Sequence, residues 1–96
     1  MAQTTILAAA ATAATSSSFT VAAGAFVTVG IFSANGQQDR LPATAQFSVL
    51  QSTPGGSNVV TNLNNDKRSV VLIGPGTFTV ARTAYTGTSF GAFTDA

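Results

Sequence analysis

From Ser18 onward the chain repeats one unit: a short run of Val, Ile, Phe and Thr, then a cluster of Gly, Pro, Asn or Ser. The repeat comes at a spacing of roughly 8 to 12 residues, which predicts strands and turns of an all-β domain. No long helical periodicity competes with it. The first strand is expected over Phe19 to Ala22 and the second over Phe26 to Phe32, joined through Ala23-Gly24. In the second, Val27, Val29 and Ile31 alternate with Phe26, Thr28, Gly30 and Phe32, so both faces carry apolar groups. Such a strand belongs in the middle of a sheet, covered on both sides or packed against a partner.

Ala34-Asn35-Gly36 reads as a turn, because Asn and Gly both tolerate positive φ, and Gln37 to Pro42 as a loop. Ala43 to Gln51 alternates, with Ala45, Phe47 and Val49 on one face and Thr44, Gln46 and Ser48 on the other, as in a half-buried antiparallel strand. Thr53-Pro54-Gly55-Gly56 ends it, and Asn58 to Leu63 follows as a short strand before the turn Asn64-Asn65-Asp66. Ser69 to Ile73, SVVLI, is the most apolar run and is expected in the core. Gly74-Pro75-Gly76 then permits a sharp reversal into Thr77 to Arg82, giving a strand-turn-strand hairpin from Arg68 to Arg82. In that last strand Phe78 and Val80 point opposite to Thr77, Thr79 and Ala81. Thr83 to Thr88 reads as a loop, and Ser89 to Thr94 closes the domain with Phe90 and Phe93 on opposite faces. About seven short strands at this spacing predict a small antiparallel β-sandwich or jelly-roll-like domain.

Residues 1–17 read differently. MAQTTILAAAATAAT is Ala- and Thr-rich, with no Lys or Arg before Arg40. The missing positive flank argues against a secretory signal, and the apolar run is far too short to span a bilayer, so cytosolic synthesis and no membrane contact are expected. An isolated helix of this length is marginal in water. The expectation is therefore a flexible, extended N-terminal arm over 1–17 and a single sandwich domain over 18–96. The arm would order on a neighbouring subunit or another protein, with Thr4, Thr5, Ile6 and Leu7 as an added strand and the candidate partner-binding residues.

A chain of 96 residues leaves room for one small core. It contains no Cys and no His, and its three acids are Asp39, Asp66 and Asp95. Thiolate and Ser-His-Asp chemistry are thus excluded, no cofactor is implied, and a non-enzymatic role is expected. The net charge of +1, with Lys67-Arg68 the only basic pair, is no nucleic-acid footprint. Only 7% of the residues are charged, against ~25% for an ordinary soluble domain. Part of the surface should therefore be covered, as in a homo-oligomer or a subunit seated on a larger assembly.

Several local patterns invite chemical readings. Gly74-Pro75-Gly76-Thr77 is better read as a turn than a phosphate loop, since Pro removes a backbone donor and no Lys follows. Asn62, Asn64, Asn65 and Asp66 resemble a calcium loop only superficially, with one carboxylate and no closing bidentate acid. Lys67, the sole Lys, lies in a polar loop rather than beside the buried acid that an isopeptide bond requires. Tyr85 is expected to be the one exposed aromatic, available to stack on a sugar ring.

An uncharged Ala/Thr segment, then SSSFTVAAGAFVTVGIF, a Gln/Asn-rich middle, RSVVLIGPGTFTVAR and a Gly/Phe terminus together resemble the small capsid decoration, or cement, proteins of tailed phages. The resemblance spans nearly the whole chain and transfers no catalytic residue. It implies a virion structural protein on the capsid exterior, binding the major capsid protein and clamping adjacent subunits, as a homo-oligomer with a trimer favoured. Alternative readings are a tail, neck or head-fibre subunit, or a glycan-binding host-recognition module.

Overall fold

Alternating apolar residues build strands that must bury one face, and two such sheets close over each other. The computed structural model describes residues 3–34 and 40–96. The expected turn at Asn35-Gly36, and Asp39, lie outside the described residues. The strands are β1 (Gln3–Ala10), β2 (Ala14–Thr15), β3 (Phe19–Val21), β4 (Phe26–Ser33), β5 (Phe47–Thr53), β6 (Gly56–Leu63), β7 (Ser69–Ile73), β8 (Gly76–Arg82) and β9 (Phe90–Asp95).

One sheet, A, has the order β1-β9-β4-β7, and the other, B, the order β2-β8-β5-β6 with β3 also on β8. Every pairing is antiparallel. β2 and β3 lie along the same side of β8 as one strand interrupted at Ser16. There the buried Ser16 donates its N–H to the Val80 carbonyl at 2.8 Å, and its Oγ accepts the Val80 N–H at 2.9 Å, so a side chain replaces one ladder acceptor. With β2 and β3 taken together, every connection except β5–β6 passes from one sheet to the other. That is the connectivity of a jelly roll.

The core lies between the inner faces. Val27, Val29, Ile31, Leu72, Phe90, Ala92 and Leu7 from sheet A meet Val21, Phe47, Val49, Leu63, Phe78 and Val80 from sheet B, with Leu41 and Ala45 closing one side. The alternations read from sequence hold: Ala45, Phe47 and Val49 are buried, as are Phe78 and Val80, while Phe90 faces in and Phe93 is only half-buried. β5 begins at Phe47 rather than Ala43 because Pro42 to Ala45 forms a turn closed by Ala45 N–H to Pro42 O at 3.0 Å.

Three expectations are corrected. Residues 3–10 are not a free arm: they form β1, paired with β9 of the same chain, and Leu7 is buried in the core. A boundary at residue 17 therefore falls inside the sandwich. The segment from Arg68 to Arg82 is not a hairpin, since β7 lies in sheet A and β8 in sheet B. Gly74-Pro75 carries the chain across the sandwich, and it packs against the neighbouring crossing at Ala22–Ala25 through Gly74 N–H to Ala25 O at 3.0 Å. Finally, β7 is an edge strand and not a core strand: Leu72 is buried, but Val71 and Ile73 are 54% and 74% exposed.

Candidate functional site

The segment expected to bind a partner is held by its own chain. Thr4 pairs with Thr94 and Thr5 with Phe93, Ile6 is half-buried, and Leu7 pairs with Ala92. Arg82 explains why this Ala-rich strand stays in place. It is 5% exposed at the inward end of β8, and its guanidinium reaches across to sheet A. Nε donates to Thr12 O at 2.6 Å, and Nη1 donates to Ala8 O at 2.8 Å and to Phe90 O at 3.0 Å. Charge-assisted bonds to carbonyls of three segments tie β1, the β1–β2 crossing and β9 together. Sequence reasoning passed over this residue, yet Arg82 shares its parity with the inward Phe78 and Val80.

Tyr85 anchors the same end. Its ring packs on the core, and its hydroxyl lies 2.7 Å from Thr88 O and 3.2 Å from Ala10 O while accepting the Phe90 N–H at 2.9 Å. It is thus half-buried and bonded, not a free platform for a sugar. The polar loop is likewise engaged in its own architecture. Asn62 Oδ1 accepts from Ser48 Oγ at 2.9 Å, Asn64 Oδ1 accepts the Asp66 and Lys67 N–H groups, and Asn65 bonds both backbone groups of Leu41. Lys67 Nζ donates to Thr61 Oγ1 at 2.9 Å, and Arg68 lies over the Phe90 ring at 5.5 Å. These oxygens bond the chain's own backbone and side chains rather than converge on a cation, and among the described residues no three His, Cys, Asp or Glu gather into a metal site.

Large exposed apolar side chains lie on β6 of sheet B, at Val59 and Val60, and on the outer face of sheet A, where they gather with aromatic rings. Phe26, 69% exposed, stands opposite Ile73 across the β4–β7 pair, and Val71 lies opposite Thr28. Further along the same face Phe32 and Phe93 stack obliquely, centroids 6.3 Å apart. At the other end Phe26 also lines an open groove of about 390 Å³ with Phe19, Val21, Ala25, Thr94 and Ala96. The two-faced apolarity of Phe26 to Phe32 did signal a surface in need of cover. The part played by Val71 and Ile73 had no such signal, because SVVLI does not alternate.

Comparison of the chain with protein-family models, with curated protein sequences and with solved structures gives no match in any of the three.

Proposed function

We propose that the chain is a structural subunit of a tailed-phage virion, a decoration protein on the outside of the head that binds the major capsid protein and braces neighbouring capsid subunits. The observation that carries this reading is the uncovered apolar corner of sheet A, where Phe26, Val71 and Ile73 face solvent from a central strand and its edge neighbour. Burial of one such side chain is worth about 1.5–3 kcal/mol, and a rigid sheet loses little entropy in presenting it. On a repeating lattice such modest contacts add through multivalency. The charge content of 7% fits a subunit much of whose surface becomes interface. The jelly-roll order gives support by analogy alone, since that layout serves viral capsid domains and lectins alike.

In this reading the contact surface is the outer face of sheet A rather than Thr4 to Leu7, which their own chain employs. No residue is assigned a catalytic role. The test is co-sedimentation of the purified chain with heads of the encoding phage prepared without it. Saturable binding at a fixed ratio to the major capsid subunit supports decoration. Absence from the heads together with recovery in purified tails moves the subunit to the tail or neck.

A further inference from the structure

We infer that β7 joins edge to edge with β7 of a second copy of this chain, in an antiparallel pairing about a two-fold axis at Val71, so that two A sheets become one continuous sheet. The starting point is the contrast among the four sheet edges. β1 is interrupted by register shifts between Thr5 and Leu7 and between Leu7 and Ala10. β2 and β3 are broken from each other, and β6 carries an irregularity opposite Val49 and Leu50. Such breaks and bulges are the usual means by which edges avoid pairing. β7 has none: it holds register with β4 over all five residues, contains no Pro or charge, and exposes Val71 and Ile73.

The hydrogen-bond phase fixes which groups are offered. Ile31 N–H donates to Arg68 O at 2.9 Å and Gly74 N–H to Ala25 O at 3.0 Å, both in the register that pairs Val27 with Leu72 and Val29 with Val70. Antiparallel bonded pairs alternate, so Ser69, Val71 and Ile73 turn their N–H and C=O groups away from β4. No described residue pairs with that edge. A two-fold pairing of Val71 with Val71 sets Ser69 beside Ile73 of the other copy and matches all three outward positions with outward positions. A strand offering this phase is its own complement.

Charge selects the same orientation. Lys67 and Arg68 flank β7 at one end only. Antiparallel pairing holds the two Lys67 about 27 Å apart at ~3.4 Å per residue, well beyond a screening length of ~8–10 Å. Parallel pairing would set them on adjacent strands ~4.8 Å apart. A closed three-fold ring would instead need β7 to pair with a different edge, and the other edge of this sheet is the interrupted β1.

Two measurements test this on the full chain without any capsid, so its failure is separate from failure of the virion reading. Light scattering is expected to give a dimer for the wild type. Val71→Lys, a change at an exposed side chain, is expected to keep the same circular dichroism while raising the dimer dissociation constant roughly 10- to 100-fold. Because the chain has no Cys, Val71→Cys reports the register directly: bonded antiparallel partners have Cα atoms about 5.5 Å apart, within disulfide range. Mild oxidation at low protein concentration is expected to convert Val71→Cys to a covalent dimer and to leave Val59→Cys, on β6, monomeric. A wild-type monomer or trimer, a dimer indifferent to Val71→Lys, or equal cross-linking at both positions would overturn the inference.

Discussion

Phe93 covers Gly30 across the β4–β9 pair, so closely that a Cβ on Gly30 would stand 2.7 Å from two carbons of the ring. The arrangement is reciprocal, for Phe32 covers Gly91, where a Cβ would meet the Phe32 ring at 2.6 Å and the Leu7 carbonyl oxygen at 2.4 Å. Glycine here makes room for an aromatic neighbour on the outer face. The two sites differ in what has to move. Gly30→Ala displaces the half-exposed end of a side chain and is expected to cost about 1–2 kcal/mol, whereas Gly91→Ala pushes on the β1 backbone and is expected to cost about 2–4 kcal/mol. Urea unfolding of the two variants should rank them in that order.

The buried guanidinium of Arg82 holds two sheets together at one end. Removing it leaves the carbonyls of Ala8, Thr12 and Phe90 without their donor. Arg82→Met is expected to destabilise by about 2–4 kcal/mol, and Arg82→Lys to recover only part, since one ammonium does not reproduce the planar fork. Limited proteolysis should then open the chain near Ala10 to Ala13 well before the rest of the domain.

Because β1 belongs to the sandwich, deletion of residues 1–10 is expected to remove a buried Leu and expose the β9 edge, not merely to trim a tail. Loss of Leu7 alone is of the order of 2–5 kcal/mol, a large share of a small domain's stability of about 5–15 kcal/mol. Thermal denaturation of the truncated chain should show a lowered or non-cooperative transition.

At the packed crossings Gly74 is irreplaceable: a Cβ there would lie 2.0 Å from the Ala22 carbonyl oxygen. Gly74→Ala is expected to cost about 3 kcal/mol or more, because two backbone segments must separate. Gly55→Ala is the control. Its Cβ meets nothing within 4 Å and its φ is not positive, so stability should change by less than about 0.5 kcal/mol.

Strand positions from Phe19 to Thr94 were readable because alternation and turn residues are local signals. A strand at Thr4 to Leu7 was legible too, but its partner was not, since the strand forms through β9, far along the chain, and through carbonyls that Arg82 reaches from β8. SVVLI named a strand but not its place, for an unbroken apolar run looks the same at the centre of a sheet and at its edge. The reversal at Gly74-Pro75 looked like a hairpin for a related reason: a sharp turn is visible in sequence, and which sheet receives the next strand is not. The aromatic surface is not at Tyr85, because its ring packs on the core and its hydroxyl is held by Thr88 and Phe90 close by and by the carbonyl of Ala10, far away in sequence. It lies instead at Phe26, Phe32 and Phe93.

The most direct test of the account is add-back to heads of the encoding phage prepared without this chain, comparing the wild type with a Phe26→Ser, Ile73→Thr double variant. Both substitutions are at exposed positions, so the fold should change in stability by less than about 1 kcal/mol. The wild type is expected to bind saturably and to raise the temperature at which the heads rupture, and the double variant to bind at least about 10-fold more weakly with no such protection. Equal binding and protection by both proteins, or no binding by either, would contradict it.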